Sequence, residues 1–316
     1  MSHFLVTGGA GFIGSHLVDA LLQAGHRVRV LDDLSTGNRA NLDPEAEVLL
    51  GNVADPAAVR AATAGIDGCF HLAAIASVAR ANEDWIGAHR VNLGGTIAVL
   101  DAARAAGGLP VVYASSAAVY GDSASVVSET TLPAPLSAYG ADKLGSELHA
   151  RAGAIVHGVP SVGFRFFNVY GPRQDPRSAY SGVISLFSAE LATGRGITLY
   201  GDGLQTRDFV YVGDIVAFLM AGMADAARQP AAQPQALVLN ACTGHETSVL
   251  GLADTLGQLL QRLPQITHRP SRAGDIRRSV GSPARALAVL GIAARTRLAD
   301  GLERTLQAMA TFEHVA

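Results

Sequence analysis

Three glycines, Gly8, Gly11 and Gly14, sit between an apolar strand-like run, Phe4-Leu5-Val6, and an apolar helix-like stretch from Gly14 to Ala24. Glycine is demanded at such spacing by a tight turn, by close approach of backbone to a pyrophosphate, and by contact between helix and strand. The phosphates then meet unpaired N–H groups at the helix start. In a chain with 35 glycines the triplet alone says little, but its placement between strand and helix says much more. The next alternating run, Arg27 to Leu31, ends at Asp32, 18 positions past Gly14. A carboxylate there suits the adenosine ribose hydroxyls. The adjacent Asp33 adds a second negative charge that repels a 2′-phosphate, which favours NAD over NADP. The competing reading of Asp32 is a cap on the following turn.

The same alternation continues through the first half of the chain. Strands are expected at Glu47–Leu50, Gly68–His71, Pro110–Ser115 and Ser161–Phe166, and helices at Pro56–Thr63, Trp85–Ala106 and Ser137–His157. This order implies βαβ units and an α/β fold, a Rossmann-type doubly wound parallel sheet. Beyond Asn168 the rhythm breaks into short strands, glycine turns and helical patterns at Val183–Thr193, Asp214–Ala226 and Ser248–Leu263. The expected division is a dinucleotide-binding domain over 1–167 and a smaller mixed α/β C-terminal substrate domain over 168–316, with some segments returning to the first. The Ala/Gln/Pro run from Ala226 to Gln235 is expected to be a flexible surface loop. Asp55, after the third strand, is placed either to reach the adenine amino group or to cap the helix opening at Pro56.

With 316 residues, 49% apolar and 16% charged, the chain has ample material for a core. A net charge of −3 provides no basic stripe, so nucleic acid is excluded as an expected partner. Cys69 and Cys242 fit neither a disulfide framework nor a metal spacing, so they are expected to be buried thiols, with no metal site. There is no run of 18 apolar residues and no signal-peptide pattern, so a soluble, cytoplasmic protein without membrane contact is expected.

The chemistry-bearing pattern is Tyr139-Gly140-Ala141-Asp142-Lys143, which puts a phenol and an ammonium four positions apart on one helix face. A tyrosine is a poor base at neutral pH, and a neighbouring ammonium together with a nicotinamide cation would favour its phenolate. Upstream, Ser115-Ser116 ends an expected strand at the carboxyl edge of the sheet, where such folds bind ligands. Ser116 is then placed to bridge a substrate hydroxyl and Tyr139.

These motifs closely resemble the UDP-galactose 4-epimerase family of the extended short-chain dehydrogenase/reductases, over nearly the whole chain. The segments that carry the resemblance are Thr7–Gly14, His71-Leu72-Ala73-Ala74, Val91–Thr96, Ser115-Ser116, Tyr139 with Lys143, Arg165–Pro172, Gly201–Asp208 and Arg272-Ala273-Gly274-Asp275. The resemblance implies NAD as cofactor and a UDP-sugar as substrate, with Ser116, Tyr139 and Lys143 catalytic. It implies cofactor contacts from Gly8, Gly11, Phe12, Ile13, Gly14, Asp32, Asp33, Val53, Asp55, Leu72, Ala73, Ala74, Asn92 and Ser115, besides Tyr139 and Lys143. It further implies substrate contacts from Ser77, Ser116 and Asn168, a cationic clamp from Arg207 and Arg272, and Asp275 on the uridine ribose. In the family's reaction a tyrosinate removes the sugar 4-hydroxyl proton while hydride passes from C4 to NAD⁺, and the tethered 4-keto sugar is reduced again on its other face. Related dehydratases carry an Asp-Glu pair after the catalytic Ser/Thr; here Ala117 and Ala118 stand there, which argues against elimination of water. The family's usual lysine after the His71–Ala74 segment is absent.

Ser279 occupies the position that resembles the family's size gate, where a small residue leaves room for an acetamido group. The Arg173–Pro176 and Ala179–Gly182 segments resemble the branch that acts on UDP-N-acetylhexosamines. The implied substrates are UDP-GlcNAc and UDP-GalNAc, with some activity on UDP-Glc and UDP-Gal. The alternatives are a UDP-uronic acid 4-epimerase or other nucleotide-sugar oxidoreductase, and a non-catalytic NAD-binding regulator. The alanine-rich helices at Trp85–Ala106 and Ser137–His157 match the pair that forms the family's dimer interface, so a homodimer is expected.

Overall fold

The computed structural model describes residues 1–175, 182–230, 232–271 and 276–313. The first half builds strands β1 His3–Thr7, β2 Arg27–Asp32, β3 Glu47–Leu50, β4 Gly68–His71, β5 Val111–Ser116 and β6 Ser161–Phe166. Its helices are α1 Phe12–Gln23, α2 Pro56–Thr63, α3 Val78–Glu83, α4 Trp85–His89, α5 Gly95–Ala105 and α6 Ala138–His157. The second half adds β7 Asn168–Tyr170, β8 Ile197–Tyr200, β9 Thr206–Arg207, β10 Phe209–Tyr211, β11 Ala236–Ala241, β12 Thr247–Ser248, β13 Ile266–Arg269 and β14 Arg278–Ser279. Helices α7 Val183–Ala192, α8 Val212–Ala226, α9 Val249–Leu259, α10 Ala284–Leu290 and α11 Leu298–Glu313 complete it.

Among the described residues, seven strands form one sheet in the order β11-β6-β5-β4-β1-β2-β3, and every pairing in it is parallel. The order reverses at β1, so the chain winds outward in both directions from the glycine loop, and a ligand crevice opens at the carboxyl ends there. The central strands are buried on both faces, as parallel strands covered by helices must be: β4 and β6 are buried throughout. Leu17, Leu21, Phe70, Phe164 and Phe218 fill one side of the sheet, and Leu5, Val59, Val99, Val111 and Tyr113 fill the other.

Helix boundaries follow local chemistry. Asp55 caps α2 by accepting the Ala57 N–H at 2.9 Å, with Pro56 at the first helical position. Ser137 caps α6 through the Gly140 N–H, and Gly158 ends it in the left-handed conformation at φ 71°. The continuous helix expected over Trp85–Ala106 is instead interrupted by a five-residue π turn at Arg90–Gly94. That widened turn places Asn92, fully buried, against the segment after β4. α9 stops at Leu259, short of the expected Leu263, because Gln261 adopts a positive φ of 53° and Pro264 follows.

The second half has its own core, with Ile184, Phe187, Leu199, Leu252, Leu256 and Leu302. It contributes β11 to the large sheet, and α8 packs on α1 and β6. Its remaining strands form small sheets: β7 with β10, β8 with β13, and β12-β9-β14. Cys69 and Cys242 are both buried, and burial pushes the Cys69 thiol up to about 12. No helix among the described residues is long and apolar enough to cross a membrane.

Candidate active site

The glycine loop is shaped by exclusion of side chains. A Cβ on Gly14 would lie 2.1 Å from the Gly8 carbonyl oxygen, and one on Gly8, whose φ is +71°, would lie 2.7 Å from the Ala73 nitrogen. Gly11 is the N-cap of α1 and supplies no side-chain acceptor, so the N–H groups of the first turn remain available to an anion. Phe12 and Ile13 follow, half-buried. Buried Asp32 accepts the Ala10 N–H at 2.9 Å and the Leu34 N–H at 2.8 Å. It therefore does cap its own turn, and it also tethers the glycine loop, while each oxygen keeps acceptor capacity for a hydroxyl. Asp33 is exposed and accepts from Ser35 N–H and Asn52 Nδ2, each at 2.9 Å. The donor row, the uncapped helix start and the paired carboxylates fit NAD, which Gly8, Gly11, Gly14 and Asp32 would hold.

Other residues expected around the cofactor have duties inside the protein. Val53 is 4% exposed and packs against Gly95. Asn92 spends both ends of its amide on Ile75, accepting the N–H at 2.8 Å and donating to the carbonyl at 3.3 Å. It acts by fixing the segment that carries Leu72, Ala73 and Ala74. Ser115 donates its hydroxyl to Glu147 at 2.5 Å, which is itself in a bidentate pair with Arg165 at 2.7 and 2.8 Å. Neighbouring strand residues face opposite sides, so the Ser115 side chain turns toward this buried pair and away from Ser116. Ser77 caps α3 through the Arg80 N–H at 3.1 Å.

At the carboxyl end of β5, the Ser116 hydroxyl is near enough to act on the Tyr139 phenol, while Lys143 Nζ lies 5.7 Å from the centre of the Tyr139 ring and donates to the Ala114 carbonyl at 2.8 Å. Burial raises the Tyr139 phenol above its ordinary value, and the Ser116 hydroxyl pulls it down by less. Lys143 is itself 3% exposed, and desolvation lowers it to about 8 against the opposing charge of Asp142. The turn after Ser116, Ala117–Tyr120, offers no carboxylate.

Across the crevice, Asn168 on β7 pairs with Phe209 of β10 and donates its N–H to the Asp208 carbonyl. Ser279 on β14 stands directly beside Arg207 on β9, so their side chains leave the same face of that small sheet. Arg278, on the other face, donates to Glu246 at 2.6 Å and to the Ala124 carbonyl at 2.9 Å, which bridges the two halves. Asp208, fully buried, accepts from the Thr243 hydroxyl and N–H and the Gly244 N–H at 2.6 to 2.9 Å, and from the Gly281 N–H at 3.4 Å. Arg272 and Asp275 lie outside the described residues, as does most of Ala179–Gly182.

Residues 4–238 match the model of the NAD dependent epimerase/dehydratase family. The chain belongs to that family. As a family member it is an NAD-dependent enzyme of the epimerase type. It is 38% identical, over 96% of its length and 97% of the relative's, to a UDP-glucose 4-epimerase of Mycolicibacterium smegmatis. Its fold is similar to the crystal structure of a UDP-glucose 4-epimerase with UDP-glucose from Thermotoga maritima, with a TM-score of 0.93, 32% identity and coverage of 98% and 99% of the two chains. It is also similar to a UDP-N-acetylglucosamine 4-epimerase from Methanobrevibacter ruminantium in complex with UDP-N-acetylmuramic acid, with a TM-score of 0.91, 29% identity and the same coverage.

Within this epimerase-family enzyme, sequence reasoning missed Glu147, Arg165 and Asp208 as buried polar anchors behind the site. Arg165 and Asp208 fall inside family-like segments, but their partners lie far away in sequence. Only the buried setting reveals their role.

Proposed function

We propose that the enzyme interconverts the C4 epimers of a UDP-hexose, with Tyr139 as proton acceptor and donor at the 4-oxygen, Ser116 as its hydrogen-bonding partner and Lys143 as the charge beside it. The observation that carries this reading is the meeting of Ser116, Tyr139 and Lys143 at the carboxyl edge of β5, near the glycine loop that follows β1. When bound, NAD would supply the hydride acceptor and a positive nicotinamide ring able to lower the Tyr139 phenol. The chain's part is orientation: Lys143 is fixed by the Ala114 carbonyl, and Ser116 stands by the phenol and favours its ionised form.

UDP-glucose and UDP-galactose are favoured by the relatives' activities, and the small Ser279 beside Arg207 supports acceptance of the N-acetylated pair as well. Arg207 with Arg272 would clamp the diphosphate, Asn168 would touch it or the sugar, and Asp275 would hold the uridine ribose. We place the enzyme in the cytoplasm as a homodimer joined through α4, α5 and α6, whose exposed apolar side chains include Trp85, Ile86, Leu148 and Ile155.

Incubation of purified enzyme, without added NAD, with UDP-Glc, UDP-GlcNAc and UDP-GlcA in separate reactions, followed by product identification, tests the proposal. A C4 epimer from either of the first two is expected, and Ser116→Ala combined with Tyr139→Phe should abolish it while UDP-sugar binding persists. Turnover only of UDP-GlcA, or only with stoichiometric external NAD, would sink it.

A further inference from the structure

β4 ends in His71, a buried imidazole with both of its ring nitrogens engaged. Nδ1 lies 2.8 Å from Thr7 Oγ1 and Nε2 lies 3.1 Å from Thr96 Oγ1. The neighbouring donors fix which nitrogen carries the proton. Thr96 Oγ1 gives its single hydrogen to the Asn92 carbonyl at 2.7 Å, so it accepts from the ring, and Nε2 must be the protonated nitrogen. Thr7 Oγ1 accepts the Ala73 N–H at 3.3 Å and turns its own hydrogen to Nδ1. A second ring proton would leave that Thr7 hydrogen without its acceptor. It would also stand close to Lys143, whose charge opposes it.

The bonds on either side of the ring connect the two halves of the chemistry. On one side, Thr7 ends the strand that enters the glycine loop and holds Ala73, whose nitrogen a side chain on Gly8 would strike. On the other, Thr96 also meets Ser146 of α6 at 3.1 Å, one turn past Lys143 on the helix that carries Tyr139. Asn92, whose carbonyl ends the chain of donors, grips Ile75 with its side chain, so Leu72–Ile75 is held at both ends. Thr7, His71, Asn92, Thr96 and Ser146 are each at most 3% exposed. Water therefore does not compete for these bonds, and each lost partner would leave a buried polar group unmet.

We propose that His71, held as the neutral Nε2–H tautomer, is a positioning residue that sets the cofactor-side segment Leu72–Ile75 against the catalytic helix α6. It transfers no proton to substrate; it fixes the distance between the surface that would carry the nicotinamide half of NAD and the Tyr139 phenol. The inference rests on the proposed epimerase reading for its kinetic consequence alone.

The two nitrogens can be tested separately, since Asn reaches about as far as Nδ1 and Gln about as far as Nε2. His71→Asn can accept from Thr7 and loses the bond to Thr96, while His71→Gln does the reverse and His71→Phe loses both. In ¹⁵N-labelled enzyme at pH 7, long-range ¹H–¹⁵N spectra should show His71 with a bare Nδ1 and a protonated Nε2. The opposite tautomer or an imidazolium would overturn the assignment whether or not the enzyme turns over UDP-sugars. For His71→Phe, kcat should fall about 10- to 100-fold, the range typical when an orienting partner is lost, with KM for the UDP-sugar changed less than about threefold. His71→Asn and His71→Gln should each recover part of kcat, and NAD should dissociate faster from all three variants. Unchanged kcat and NAD retention in His71→Phe, or equal loss of kcat and stability in all three variants with no recovery, would overturn the positioning role. If wild-type enzyme fails to epimerise any UDP-sugar, the tautomer and NAD dissociation rates still decide the proposal.

Discussion

The two walls of the crevice are built differently. The wall that carries Ser116, Tyr139 and Lys143 stands on a seven-stranded parallel sheet and a 20-residue helix, with Ser116 and Tyr139 half-buried and Lys143 buried and held by the Ala114 carbonyl. The wall that carries Asn168, Arg207 and Ser279 stands on strands of two or three residues, and it is held in register by one buried carboxylate, Asp208. The first arrangement suits chemistry, where a displacement of about 1 Å can cost about a hundredfold in rate. The second suits recognition, because short strands joined by turns can change residues without disturbing the main sheet. Alterations in the first wall should therefore strike kcat, and those in the second should strike KM or the choice of sugar.

The largest effect is expected from Tyr139→Phe, which removes the proposed proton acceptor: kcat should fall about a thousandfold or more, with UDP-sugar affinity by calorimetry little changed. Loss of affinity matching the loss of rate would erase the distinction between the walls. Next is Asp208→Ala, which strands the Thr243, Gly244 and Gly281 donors. About 3 kcal/mol of stability in denaturant titration and about a tenfold rise in KM are expected, with kcat nearly intact. A fall in kcat at constant KM would show that Asp208 serves the chemical wall instead. Ser279→Tyr should depress turnover of the N-acetylated pair by about tenfold or more relative to UDP-Glc/UDP-Gal. Equal losses on both would remove Ser279 as the gate.

The smallest effect concerns acid stability. Burial lowers His71 from the usual 6.5 to about 3, with the charge of Lys143 adding to the shift. Between those values the unfolded chain binds a proton that the native protein does not, so this residue's contribution to stability falls as pH drops through 6.5 and levels off below about 3. The slope it adds is at most about 1.4 kcal/mol per pH unit. Denaturant midpoints of wild type and His71→Gln at several pH values between 4 and 7, where about one proton is at stake, should diverge accordingly. Parallel curves would show that His71 does not stay neutral.

What could be seen in the sequence follows the same partition. The glycine loop, Asp32 and the Tyr139/Lys143 pair are legible because their partners are near in sequence or fixed by helix and strand periodicity. Asp55 suits two roles in the sequence, and the structure realises the cap at Ala57. The setting of Ser115 was open to reading too, since alternation along β5 turns it opposite to Ser116, but its acceptor lies 32 positions away on α6. The π turn that delivers Asn92 is marked in the sequence only by the Gly94-Gly95 pair, which a continuous helix can also carry. Nor does spacing reveal that burial raises the Tyr139 phenol, because desolvation depends on everything packed around the ring.

β11 bears on how such a crevice can open. It arrives from the second half of the chain, after residue 231, and zips along the whole of β6 from Ser161 to Phe166. The strand itself belongs to the large sheet, so any movement of the rest of the second half is confined to the segments that flank β11. Cutting the polypeptide after residue 167 would yield no independent unit, only a sheet with a raw, sticky border along β6.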